Sequence, residues 1–178
     1  PMYPYPNGHW NQPIYFWGYN ENNWNQVNQG VPVIQGAYQS GRIDFGSNPF
    51  VVDIEKATTQ NNYFRRTLWT GDHLQVTLMS IEVGEDIGLE VHPNTDQFLR
   101  IEDGQGLVMM GDHENYLDFQ QPVYQDDAIM VPAGKYHNLI NTGPTPLRLY
   151  SIYAPPEHPY GTVHETKEVA VKAEDHHD

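Results

Sequence analysis

The stretch "EVHPNTDQF", residues 90–98, sets a carboxylate, an imidazole and an amide among residues that otherwise read as β-structure. In a strand, residues i and i+2 share a face, so Glu90 and His92 project together. A turn after Pro93 lets Gln97 begin the return strand, with Leu99 and Ile101 following it inwards and Phe98 and Arg100 pointing the other way. A Glu beside a His on an inward face needs a reason, because an unpaired buried carboxylate is costly. A divalent cation supplies one. A second cluster lies in "DDAIMVPAGKYHNLIN", residues 126–141: Pro132 and Gly134 make a tight turn, and His137 enters the next strand with Leu139 and Asn141 on its side. If the two hairpins face each other across a barrel, Glu90, His92, Gln97 and His137 converge on one point. That set offers nitrogen and oxygen without sulfur, which suits zinc first, with Mn, Fe, Co or Ni as alternatives. The competing reading is a polar pocket that holds no metal.

The elements that must position these residues are short. "FVVDIEKA" (50–57) opens a series continued by "LQVTLMSIEV", "GLEVH", "QFLRIEDG", "GLVMMGD", "AIMVPAG", "HNLINTG" and "LRLYSIYAP". Gly, Pro, Asp and Asn punctuate them, as in a sandwich or closed barrel of many short strands. No αβ alternation runs through the chain, so the expected class is all-β rather than a doubly wound sheet. "HETKEVAVKAEDHHD" has Glu and Lys at helix-like spacing and predicts a short C-terminal helix, its last His and acidic residues forming a solvated end.

Residues 1–48 differ in texture: three charged side chains (Glu21, Arg42, Asp44), five Tyr and three Trp among many Asn, Gln, Gly and Pro. No helical or strand period persists there, so they read as a low-complexity arm, with 49–165 as the barrel and 166–178 as a charged tail. The arm's aromatic residues could dock on a neighbouring domain or subunit.

A net charge of −14, with only nine Lys and Arg, argues against nucleic acid, since phosphate binding needs clustered cations. An anionic membrane surface is disfavoured on the same ground. The chain has no Cys, so any metal must be held by His, carboxylate or amide. The beginning of the sequence shows no basic segment followed by an apolar run, so the expectation is a soluble, cytoplasmic protein.

The two clusters resemble the motifs of the cupin superfamily. The first motif, G(X)5HXH(X)3-4E(X)6G, is matched in spacing by Gly84, Glu90, His92, Gln97 and Gly104; the second, G(X)5PXG(X)2H(X)3N, by Asp126, Pro132, Gly134, His137 and Asn141. The resemblance covers roughly residues 49–165 and implies a single-domain jelly-roll barrel, the double-stranded β-helix, with a metal inside. Glu90 stands in the slot of the first His, Gln97 in that of the Glu and Asp126 in that of a Gly. The first two exchanges leave the summed ligand charge at minus one, so the balance with a divalent ion is kept. A Gln oxygen binds more weakly than a carboxylate, and Gln97 could instead orient His92 or a bound water from behind. Two His, one Glu and one Gln also resemble the zinc site of type I mannose-6-phosphate isomerases, where Gln and Glu occupy other slots. The chain looks like the small cupins described as phosphomannose-isomerase-like.

The resemblance implies a metal with open positions, acting on a small polar molecule: a sugar or sugar-phosphate isomerase-like enzyme. The alternatives are a metal-dependent oxygenase or decarboxylase, and a non-catalytic structural cupin. The last is kept by the arm, whose Tyr, Asn and Gly content resembles spore-coat segments and predicts spore association; Trp10, Trp17 or Trp24 in the barrel mouth would favour it. Lys135 and Tyr150 are the first choices for proton transfer, ahead of Tyr136, Tyr153 and Asp96, and Arg65, Arg66 or Arg100 could recognise an anion. Tyr150 and Tyr153 lie on opposite faces of the last strand, so at most one lines the pocket. His158 and His164 either fold over the mouth or sit in a surface loop. Cupin barrels commonly pair, and "FVVDIEKA" as an edge strand predicts a homodimer.

Overall fold

The computed structural model describes residues 43–174. These belong to a unit running from Ile34 to Asp178; the other unit, Pro1–Val33, with Trp10, Trp17 and Trp24, lies outside the described residues, as do His176 and His177.

Nine strands and two helices are described: α1 (Ile54–Thr59), β1 (Arg65–Thr70), β2 (Gln75–Ile81), β3 (Asp96–Asp103), β4 (Gln105–Gly111), β5 (Phe119–Tyr124), β6 (Ala128–Val131), β7 (Tyr136–Asn141), β8 (Leu147–Ala154), β9 (Val163–His164) and α2 (Lys167–Glu174). A six-stranded sheet runs β6-β3-β8-β2-β1-β9 and a three-stranded sheet runs β5-β4-β7, with antiparallel pairing throughout. The expected all-β barrel and the C-terminal helix are both present. No described helix is long and apolar enough to cross a membrane.

Strand register fixes what faces inwards. Across β2, β8 and β3, Met79 pairs with Leu149 and Leu149 with Ile101, while Ile81 pairs with Leu147. These residues are fully buried with Leu139 and Val108 of the smaller sheet, and each aliphatic side chain so covered stabilises by roughly 1.5–3 kcal/mol. Two or four residues along the same strands, the inward row turns polar. Gln75 pairs with Tyr153 and Tyr153 with Gln97, and Thr77 pairs with Ser151; all are at most 2% exposed.

The outer face of the large sheet is covered too. Leu68, Leu78, Val76 and Tyr150 pack there against Ala57 and Ile54 of α1 and against Phe45, Phe50 and Val52. Phe45 and Phe50 stack at 4.6 Å. "FVVDIEKA" is therefore not a strand, and the edge-strand exchange drawn from it is removed. Asp53 caps a helix instead, accepting from the Lys56 amide at 3.0 Å, and Ile54, Ala57 and Thr58 share the face turned to the sheet. Two longer strands escape pattern reading for physical reasons, and the two-residue β9 is too short to show a pattern. The buried residues of β1 include Arg65, Arg66 and Thr67, and β5 buries only Val123, so neither shows an apolar run.

The motif punctuation has structural causes. Asp126, in a glycine slot, has φ 71°, the left-handed region that Asp tolerates better than most residues, and its carboxylate pairs with Arg100 at 2.7 Å. Asn141 donates to the carbonyls of Ile81 and Thr145 and accepts from Gly143, all at 2.9 Å, stapling the β7–β8 turn to β2.

Candidate metal centre

"GLEVH" forms no continuous strand; single antiparallel bridges from Asp86 to Ile140 and from Glu90 to His137 hold it to β7. The second is a reciprocal backbone pair, each N–H meeting the other's carbonyl at 2.9 Å. It places the carboxylate of Glu90 beside the ring of His137, and His92 follows with its ring centroid 5.3 Å from that of His137.

Both imidazoles are oriented from behind. His137 Nδ1 lies 3.0 Å from the Lys135 carbonyl, which can only accept, so Nδ1 carries hydrogen and Nε2 is left with its lone pair. His92 Nδ1 faces Glu157 Oε1 at 3.1 Å, with the same consequence. Glu90 gives Oε1 to the Arg65 guanidinium at 2.5 Å and turns Oε2 towards the two rings, 3.5 Å from His92 Nε2 and 3.8 Å from His137 Nε2. Those separations exceed ordinary hydrogen-bond lengths, and all three atoms are buried without a hydrogen-bond partner. Ligand atoms of Glu90, His92 and His137 thus gather within 4.8 Å of one another. Three buried acceptors facing one point fit a cation, and the donor set suits a divalent metal.

Gln97, 2% exposed, donates through Nε2 to Ser151 Oγ at 2.9 Å, which leaves its buried Oε1 without a partner. Burial opposes ionisation of Glu90, but the charge of Arg65 and the contact with His92 prevail and hold it down to about 2. Burial likewise works against a charged His92, yet the Glu90 and Glu157 carboxylates raise its pKa. In His137, burial wins and the pKa is lowered. The charge balance is richer than the ligands alone imply: Arg65 offsets Glu90, and Glu157 restores one negative charge beside His92.

Two expected proton carriers are not in this cluster. Lys135 turns outwards to pair with Asp112, beside a separate cleft lined by Met110, Phe119 and Met130; only its carbonyl serves the site, through His137. Tyr150 lies on the outer face of β8, 6.2 Å from the Phe98 ring and against the α1 layer, because the even positions of β8 face outwards. Tyr153, fully buried, is the inward one, edge-on to His92 at 5.6 Å and to His158 at 5.0 Å. Arg100 pairs with Asp126 and Glu102, and Asp96 accepts from the Ala133 amide. Of the three arginines only Arg65 is paired with Glu90.

Sequence reading missed Glu157, which lies in the loop after β8, outside both motifs. No local signal marks it, because its partner His92 is brought by another hairpin. Gln75 seats this loop: fully buried, it accepts from the Glu157 and His158 amides at 3.3 and 2.9 Å and donates to the His158 carbonyl at 2.8 Å. His158 and His164 line a cleft of about 750 Å³ together with Glu90 and His92, so they belong to the mouth and not to a remote loop. Burial, with the charge of Arg65, pushes the His158 pKa down to about 3, so it is neutral near pH 7.

Comparison with known proteins agrees with this geometry. Residues 77–153 match the cupin domain. The YrkC protein of Bacillus subtilis is 60% identical over 157 residues, 86% of this chain and 84% of that one, and a protein of Acanthamoeba polyphaga mimivirus is 38% identical over 64% of this chain and 70% of its own. The crystal structure of BH2720 from Bacillus halodurans is 64% identical, with a TM-score of 0.73 covering 74% of this chain and 99% of that one. With two motifs in register, a jelly-roll architecture and relatives alike over most of their length, the chain belongs to the cupin superfamily.

Proposed function

We propose that this cupin binds one divalent metal, zinc first, through Glu90, His92 and His137, with the Gln97 oxygen as a fourth donor, and that it acts as an isomerase-like enzyme on a small polar molecule. The observation that carries the reading is the convergence of three buried, partnerless acceptor atoms at the edge of an open cleft. Such a metal would supply Lewis acidity, polarising a substrate carbonyl. The chain's own residues do the rest. Lys135, through its carbonyl, and Glu157 fix the two imidazoles; Arg65 keeps Glu90 ionised; Tyr153 and His158 are a hydroxyl and a neutral imidazole beside the cluster, taking the place of Tyr150 and Lys135.

A phosphorylated substrate is the weaker form of this reading. No Lys or Arg is among the described residues lining the cleft, and phosphate sites favour such groups. The spore-coat-like composition of residues 1–48 supports a coat-associated location as a second reading, and the family resemblance supports a homodimer, which light scattering at micromolar concentration checks.

The deciding experiment is elemental mass spectrometry of untagged protein. Near-stoichiometric metal in the wild type, lost in His137→Ala, is the expected result. Zinc directs assays to isomerisation, whereas iron or manganese directs them to dioxygen chemistry. A wild type that stays metal-free after reloading refutes the proposal.

A further inference from the structure

The lining of the cleft is of two kinds. Glu90, His92, Glu157, His158, Thr162 and His164 supply polar groups, while Leu89, Val91, Pro159, Val163 and Ala173 supply aliphatic surface. Leu89 is 48% exposed, and Val91, Val163 and Ala173 are half-buried. These side chains come from three places: the segment flanking Glu90, the stretch from the loop before β9 into β9 itself, and the last turn of α2. Apolar groups left partly open around a polar focus are the usual make-up of a small-molecule site, and about 750 Å³ falls within the range of such sites. A sugar, with hydroxyls on every carbon, would leave this wall facing polar groups. A charged tail would be desolvated against it without a described Lys or Arg to pair with.

Resting on the metal reading above, we propose that the substrate is a molecule with one oxygen-bearing head, directed at Glu90, His92 and His137, and an uncharged aliphatic body lying along Leu89, Val91, Val163 and Ala173. The site therefore selects by the length and neutrality of the body rather than by a pattern of hydroxyls.

Alkyl hydroxamates test this on the zinc-loaded full chain, because the head binds metal and the tail can be varied alone. By calorimetry, affinity should rise roughly threefold for each methylene from acetohydroxamate to hexanohydroxamate. The monohydroxamate of adipic acid, equally long but carboxylate-tipped, should fall back to the acetohydroxamate level. Leu89→Asn, at an exposed position outside the core, should flatten the chain-length series. A flat series in the wild type, or a carboxylate tip that binds more tightly, overturns the proposal. If the protein holds no zinc, the metal reading fails separately, and the wall is then read by methyl chemical shifts on adding 1-butanol and 1-hexanol to metal-free protein. Shifts at Val91, Val163 and Ala173 that grow with alcohol length support the aliphatic site; their absence overturns it.

Discussion

Two halves of the same barrel interior, built on the same strands, obey opposite rules. At one end β2, β8 and β3 present Met79, Ile81, Leu147, Leu149 and Ile101; a few residues along they present Gln75, Thr77, Ser151, Tyr153 and Gln97. Both ends are buried. The apolar half gains free energy from being dry, whereas the polar half holds buried groups whose partners are incomplete, among them Thr77 Oγ1, Gln97 Oε1 and Glu90 Oε2. A fold selected for stability alone would have continued the aliphatic rows. Their interruption beside Glu90, His92 and His137 marks the half of the barrel that carries the candidate site.

The comparison can be broken most forcefully in the dry half. Leu149→Ala should cost about 3 kcal/mol in denaturant unfolding and leave metal content unchanged; loss of metal instead would mean that the halves are not separable. Next in size, Glu157→Gln keeps the shape behind His92 but removes its charge. Metal affinity should drop by roughly 10- to 100-fold by competition with a chelator, with the unfolding midpoint unmoved.

Acid provides a gentler test at the polar end. Asp44, 1% exposed, accepts from Gly46, from the Thr70 amide and hydroxyl, and from Gly161. Burial raises its pKa, but these hydrogen bonds outweigh it and leave the value lowered. A depressed carboxylate stabilises above its unfolded pKa of about 3.9, and that stability is lost as pH falls through the lower folded value. Amide exchange at Thr70 and Gly161 should therefore lose protection below about pH 4 while Leu99 and Leu149 keep theirs. The smallest expected change is Thr77→Val, which removes a buried hydroxyl that lacks a partner. It should alter stability by less than about 1 kcal/mol in either direction, measured by the same unfolding experiment. A large loss there would show the hydroxyl to be engaged and the contrast between halves overstated.

The strands legible in the sequence, β2, β3, β4, β6, β7 and β8, are those that carry apolar runs bounded by turn residues. β1 hides because its buried residues include two arginines and a threonine, and α1 reads as a strand because "FVV" precedes a cap whose helix is only six residues long. The cluster is legible for a related reason. Glu90, His92 and His137 sit at the spacings of the two motifs, and the bridge from Glu90 to His137 brings them together. Their supports are not: Arg65 lies 25 positions from Glu90, and Glu157 belongs to another loop altogether.

The sequence by itself determined the all-β class and the side of each strand on which a residue falls relative to its neighbours, because these derive from period-two alternation and turn chemistry, and its resemblance to the cupin motifs implied the barrel and the convergence of one carboxylate with two imidazoles. Tertiary structure alone decided which face of β8 looks inwards. Both faces are covered, one by the opposing sheet and one by α1, so polarity gave no contrast and Tyr150 and Tyr153 could not be ranked. It likewise decided that Arg65 neutralises Glu90, that Glu157 holds His92, and that Lys135 leaves the site. Each of these depends on contacts between segments distant in sequence, which local propensity does not encode.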